Sequence, residues 1–246
     1  MNRKQDGEDH YYGEFESIKF ESRREGYREY TKYLEESDHT KTEIIENSGA
    51  FLGDLALNRI LTLTEYFKMT QCIAGHIADV GTYRGASALL FAKLMKIHNP
   101  ESLWQVHGFD WFKGTQKLSD NDSKYTPEGG YTTSEKLLID LVEKQNLSSI
   151  FRLHNIDLVN EIDNFMLVNS HLQFRLVFMD AGLFDVMDAA IPAFWDRLSP
   201  GGIMVFDQLI HEFAPGEISA VRKHLKNERL CTLPNSWMPN AYIVKS

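Results

Sequence analysis

Residues 78–95 read ADVGTYRGASALLFAKLM. An aspartate, Asp79, stands at the end of an apolar run, Gly81 and Gly85 follow four residues apart, and a helix-forming series takes over. A buried strand, a turn that needs bare backbone and a helix start fit into these few residues. That is the unit from which open parallel sheets are built.

The same texture repeats downstream. Candidate strands are HIADV (76–80), WQVHGFD (104–110), SIFRLHN (149–155), FRLVFMD (174–180) and GIMVFDQ (202–208). Helical patterns separate them: GASALLFAKLM, TTSEKLLIDLVEKQN, the weaker IDLVNEIDNFMLVN, and FDVMDAAIPAFWDRL. Short apolar strands alternating with helices predict a mostly parallel α/β sheet of the doubly wound, Rossmann-like kind, with helices on both faces. SPGG (199–202) reads as the turn that launches the fifth strand. The tail, ERLCTLPNSWMPNAYIVKS, suits two further strands, with AYIVK closing a seven-stranded sheet.

Residues 1–50 have a different character. They are dense in charge and aromatics, and one or two helices are predicted after a disordered start, with Phe20, Tyr27, Tyr30 and Tyr33 at helical spacing. A further helix is predicted from Leu52 to about Gln71. The division is therefore an N-terminal helical extension, 1–50, and a main domain, 51–246. The extension could cover a site, pack on the domain or join two copies into a homo-oligomer.

Composition excludes several classes. With 246 residues, 43% hydrophobic and 25% charged, the chain is an ordinary globular one. A net charge of −9 disfavours nucleic acid or an anionic membrane as partner. Cys72 and Cys231 lack metal-ligand spacing and read as buried or idle thiols of a reducing compartment. The polar N-terminus and the lack of a spanning apolar run point to a cytoplasmic protein.

Ligands of open parallel sheets bind beyond the carboxyl ends of the strands. There stand Asp79, Asp110, Asn155 with Asp157, Asp180, and Asp207 with Gln208. The glycine loop is D-x-G-x-x-x-G, with Tyr83 and Arg84 where a dinucleotide binder needs small residues. It suits a nucleoside that carries a carboxylate and an ammonium better than a diphosphate. Asp110, closing the next strand, is placed to accept hydrogen bonds from both ribose hydroxyls.

DVGTYRGASA, HGFDWFKG, DAGLF and LSPGGIMVFDQLIHEFAPG together resemble class I S-adenosylmethionine-dependent methyltransferases, and most of all the TylF-type (macrocin O-methyltransferase-like) branch. The likeness runs from about residue 50 to 246. It implies that Asp79, Gly81, Tyr83, Arg84, Gly85 and Ser87 form the methionine end of a cofactor site. Asp110 would hold the ribose with Trp111 and Phe112 beside it, Asn155 and Asp157 would neighbour the adenine, and Asp180 would border the cofactor. Asp180 and Asp207, with the Gln208 carbonyl, match positions that hold Mg2+ in that branch. His211 matches a histidine that is a candidate base close to the acceptor hydroxyl, and Asp180 is the second candidate catalytic residue.

The pattern also departs from the family. Gly182 stands where a second acid is usual, Phe184 replaces a tyrosine, and Gln208 replaces the second aspartate of a pair. Metal-assisted and metal-free transfer both remain open. The implied activity is O-methylation of a small-molecule hydroxyl, foremost that of a sugar or glycosylated metabolite. Methylation of an amine or phenol without metal, and a catalytically reduced cofactor-sensing scaffold, are the alternatives. His107, inside a strand, reads as a hydrogen-bonded core residue. The polar stretch 111–133, bearing Trp111, Tyr125 and Tyr131, reads as a functional lid or a disordered loop and, together with the N-terminal helices, as the source of acceptor specificity.

Overall fold

The computed structural model describes residues 21–123, 126, 128–211, 214–234 and 237–246. Phe20, Tyr125 and the start of the chain, for which expectations were given above, lie outside the described residues.

The sheet grows outward from β1 (His76–Val80). β2 (Val106–Asp110) lies on one side of it and β4 (Phe174–Met179) on the other. β3 (Phe151–Asn155), β5 (Leu198–Phe206) and β6 (Ala241–Val244) complete the order β3-β2-β1-β4-β5-β6. All pairs are parallel except β5–β6. Strand order reverses between β1's two neighbours, so the carboxyl edge opens into a crevice beside β1 and β4.

Six strands form this sheet among the described residues, one fewer than predicted. The segment before β6 contributes only a single bridge, Cys231 to Tyr242. Its prolines, Pro234 and Pro239, lack the N–H that a longer ladder would need. The predicted turn at 199–202 also proves different. Ser199 to Gly202 lie inside β5 as a register shift against β4, with Gly201 at φ 79° and its N–H donating to the Lys245 carbonyl. The two cysteines are free; Cys72 is exposed and Cys231 half-buried, so of the two readings given above, buried or idle, burial does not hold.

Helices cover both faces. α5 (Ala86–His98), α6 (Glu135–Lys144) and α4 (Asp54–Met69) bury Leu63, Phe67, Phe91, Met95 and Leu138 against Ile77, Val106, Leu176 and Phe178. α7 (Leu158–Val168), α8 (Phe184–Asp196) and α9 (Pro215–His224) pack Ile162, Met187, Ile191 and Phe194 against Val80, Phe109, Val177 and Met179. Alternate strand residues thus serve opposite cores, as the pleat requires. α9 corresponds to none of the predicted helices. Three shorter or more exposed helices precede the domain: α1 (Glu21–Glu36), α2 (Lys41–Glu46) and α3 (Ser48–Phe51). Thr40 and Glu43 close a capping box on α2, and the Tyr30 hydroxyl ties α1 to the Phe51 carbonyl at 2.8 Å. Among the described residues no helix is long and apolar enough to cross a membrane.

The buried face of α4 fixes where its polar residues point. Leu63, Tyr66, Phe67 and Thr70 recur at helical spacing and are buried. Arg59 lies one turn before Leu63 on that same face, at the end of the helix that overhangs the carboxyl edge of the sheet. At the other end, Arg175 of β4 donates to the Thr70 and Gln71 carbonyls, each at 3.3 Å, and its guanidinium lies over the Phe67 ring. One arginine of β4 thus anchors α4, while the arginine of α4 reaches the site.

Candidate active site

β1 delivers Asp79 into an interior without solvent exposure. Ser87, in the first turn of α5, donates to Asp79 Oδ1 at 2.6 Å, while Oδ2 is buried with no hydrogen-bond partner. Burial pushes this carboxyl up to about 6, against the Ser87 and Thr82 hydrogen bonds that lower it. A lone buried acceptor oxygen of this kind calls for a donor. The bend that follows needs glycine twice. Gly81 has φ 89°, and a Cβ there would collide with the Asp180 carbonyl oxygen; Gly85 caps α5 at φ 82° against Leu138.

Asp110 binds the loop together from the next strand. Its two oxygens accept the N–H groups of Tyr83 and Phe112, each at 2.7 Å. Tyr83 and Phe112 both have positive φ, 48° and 61°, so the carboxylate holds two left-handed residues in place. Burial pushes Asp110 up, and the Phe112 and Tyr83 N–H groups oppose the rise. Each oxygen has a further lone pair for a ligand hydroxyl. The Tyr83 ring stands edge-on to Tyr131, and Arg84 stacks its guanidinium on Tyr83 from the exposed side.

The other predicted residues divide into two groups. Phe112 is buried with the α5 core, and the Trp111 indole donates to the Gly114 carbonyl. Asn155 sits beside Asp110 in register but donates to Glu135 at 2.7 Å on the exposed side. Asp157 is occupied as the cap of α7, accepting from Val159 N, Asn160 and Gln116. The contacts of these last two are thus those of structural residues. His211 closes the turn after β5, with its N–H donating to the Gln208 carbonyl at 2.9 Å.

Asp180 and Asp207 end neighbouring strands, and one side chain joins them. Arg59 donates through Nη2 to Asp180 Oδ2 at 2.8 Å and through Nη1 to Asp207 Oδ1 at 2.6 Å. Its guanidinium also lies 5.5 Å from the centre of the Phe178 ring. Burial and the neighbouring Asp207 push Asp180 well up, while Arg59 pulls it down. Glu217 of α9 is fully buried close behind; its Oε1 accepts Gln208 N–H at 3.2 Å and its Oε2 has no partner. Burial and the two aspartates push it well above the ordinary carboxyl range. The sequence reading had not singled out Arg59 or Glu217. The available signal was a cation at a buried-face position of an apolar helix.

The lid is held rather than free. Asp122 accepts Ser119 N–H and Oγ–H at 2.9 and 2.8 Å and the first N–H of α8, that of Phe184, at 2.7 Å. Across the loop Thr115 N–H donates to the Gly130 carbonyl at 2.7 Å, and Gly129 N–H donates to the Thr115 carbonyl at 2.9 Å.

The sequence profile of a family described as a methyltransferase domain matches residues 78–209, more than half of the chain and all of this strand edge up to β5. The chain belongs to that family. Membership makes this methyltransferase an enzyme whose implied methyl donor is S-adenosylmethionine. No curated protein matches its sequence. Among solved structures, the methyltransferase is similar to CalS11, a calicheamicin methyltransferase, at TM-score 0.80 and 24% identity over 93% of each chain. A second, apo structure described as CalS11, TDP-rhamnose 3'-O-methyltransferase, matches at 0.74 and 24% over 93% of this chain and 95% of that one. The O-methyltransferase NovP matches at 0.61 and 13% over 77% and 80%. At these identities the likeness establishes the fold.

Proposed function

We propose that this methyltransferase transfers the methyl group of S-adenosylmethionine to a hydroxyl of a sugar or a glycosylated small molecule, within the TylF-type branch. The observation that carries the cofactor assignment is the buried Asp79 Oδ2, an acceptor with no partner at the start of the loop that bends at Gly81. An ammonium donor satisfies it. Asp110, already oriented by two N–H groups, has lone pairs left for ribose hydroxyls. The acceptor class is supported by the fold shared with CalS11, a sugar O-methyltransferase by its description.

When bound, the cofactor supplies an electrophilic methyl on a sulfonium. The chain's own residues must hold an acceptor oxygen in line with it and take that hydroxyl's proton. Asp180, raised by burial and by Asp207, is suited to receive a proton, and His211 stands in the turn beside the same strand ends. Asp122 joins the loop after β2 to the first turn of α8, just past the end of β4.

Isothermal titration with S-adenosylhomocysteine, followed by methyl transfer to a panel of nucleoside diphosphate sugars, tests the reading. The expected results are a dissociation constant near micromolar and labelled product on a sugar hydroxyl. Asp110→Ala should weaken cofactor binding by about 2–4 kcal/mol, the range for charge-assisted hydrogen bonds. Transfer to phenols or amines alone would replace the acceptor class, and absent cofactor binding would remove the assignment.

A further inference from the structure

The two carboxylates that the family resemblance gives to Mg2+ are bridged by an arginine. We infer that Arg59 is the resident cation of the acceptor site and that this methyltransferase works without a divalent metal. The inference deepens the proposed function and rests on its placement of the acceptor beside Asp180 and Asp207.

Four observations carry it. The guanidinium takes one oxygen from each carboxylate, at 2.8 and 2.6 Å, so the fork occupies the space between them. Its orientation is fixed from two directions, by the buried face of α4 and by the Phe178 ring under it. A guanidinium is planar, permanently charged and more weakly hydrated than an ammonium, which suits it to a half-buried bridge between carboxylates. Its side chain is 28% exposed, while that of Asp207 is only 4% exposed, so the bridge is largely shielded from water.

The donor set for an ion is also incomplete. Mg2+ requires six oxygen ligands near 2.0–2.1 Å in octahedral array, a demand usually met by carboxylates, waters and substrate oxygens. Gly182 offers no side chain there, and Gln208 brings an amide where a second carboxylate would stand. The nearby Glu217 already has one oxygen on Gln208 N–H. No group of three or more His, Cys, Asp and Glu residues among the described ones is arranged to hold a metal ion. An incoming ion would have to displace Arg59 from both partners and leave a cation beside itself in a shielded site.

Arg59 is a positioning residue on this account. It holds the carboxylates of Asp207 and Asp180 side by side and supplies the positive charge against which an acceptor oxygen can lie as it loses its proton. The proton leaves the hydroxyl for a carboxylate of the pair, the oxygen forms the new bond to the methyl carbon, and the sulfonium leaves as a neutral thioether. No redox partner is needed.

Mn2+ titration of the full-length protein, followed by electron paramagnetic resonance of the free ion, tests the inference without reference to any acceptor. The wild type should bind no Mn2+ below about 1 mM, and Arg59→Ala should gain binding at least tenfold tighter, because its two carboxylates lose their counter-ion. Micromolar Mn2+ binding by the wild type would overturn the inference. A folded Arg59→Ala that also binds no Mn2+ would overturn the role given to Arg59. If that variant does not fold, the wild-type titration still decides, and Arg59→Lys serves as the conservative replacement. S-adenosylhomocysteine titration of the same samples reads the cofactor assignment separately. Where transfer is detected, prolonged chelation should leave the wild-type rate within twofold, and a loss restored by Mg2+ would overturn the inference.

Discussion

Gly81 shows how one atom sets the position of several functional groups. A β-carbon there would strike the Asp180 carbonyl, and φ 89° already disfavours any L-residue with a side chain. Gly81→Ala should therefore lower stability by about 2 kcal/mol or more in urea unfolding, from left-handed strain plus the collision. Since the displaced carbonyl belongs to Asp180, S-adenosylhomocysteine affinity should fall with it. Gly26→Ala is the control: nothing lies within 4 Å of its Cβ in α1, and helix propensity favours the change. Equal stability of the two variants would show that the bend relaxes at no cost. Asp79, Gly81, Gly85 and Asp110 were legible in the sequence because strand, bend and helix are adjacent in the chain and each residue type answers a local demand. Arg59 was not, because its partners are 121 and 148 residues away and only packing brings them together. Asp157 carries two signals at once: an aspartate just past a strand is as well suited to cap a helix as to meet a ligand, and its side chain caps α7.

At the scale of elements, the alternation of strands and helices was legible from periodicity, and the C-terminal region was not. PGEISAVRKH has little apolar pattern and forms α9 through tertiary packing on α8, with Pro215 at its first position. The predicted seventh strand and the SPGG turn failed where local signals for irregular backbone served a bulge and a loop instead. The lid gives the testable case. Asp122 links it to α8, and the link doubles as a cap on that helix's first N–H. Asp122→Ala should cost about 1 kcal/mol, the usual value of a cap, and should speed proteolytic nicking within residues 115–133. Asp122→Asn keeps an acceptor and should lie between the two. Unchanged cleavage in the alanine variant would mean that the Thr115–Gly130 contacts alone hold the lid.

Across the whole molecule, two buried sets of titratable groups oppose each other as pH changes. A ladder of three histidines crosses the face of the sheet: His154 Nε2 meets His107 Nδ1 at 2.9 Å, and His107 Nε2 meets His76 Nδ1 at 3.2 Å. Gln105 N–H donates to His76 Nδ1, so that nitrogen is an acceptor. His107 must then donate through Nε2 and accept through Nδ1, which fits three neutral rings and leaves no place for an extra proton on His107. Burial, with its histidine neighbours and Arg152 adding to it, depresses His107 to about 3; burial and Arg152 take His154 to about 4. The unfolded chain protonates these rings near 6.5, so stability falls as pH drops below 6.5 and levels off only near 3. Asp79 acts in the other sense. Raised to about 6 from 3.8, it binds its proton more tightly when folded, so it weakens the fold as pH rises from about 4 to 6. Below pH 6 the two contributions partly cancel in the wild type, and a variant is needed to separate them. His107→Gln keeps a hydrogen-bonding side chain but no titrating ring. Between pH 7.5 and 5 the wild type should lose about 2 kcal/mol more stability than this variant, the linkage value for one ring whose proton is excluded on folding. Relief of its neighbours in the variant acts in the same direction, since His76 and His154 no longer face a second ring. Parallel unfolding free energies across that range would mean that the ladder accepts protons without opening, and the acid sensitivity of the fold would then lie elsewhere.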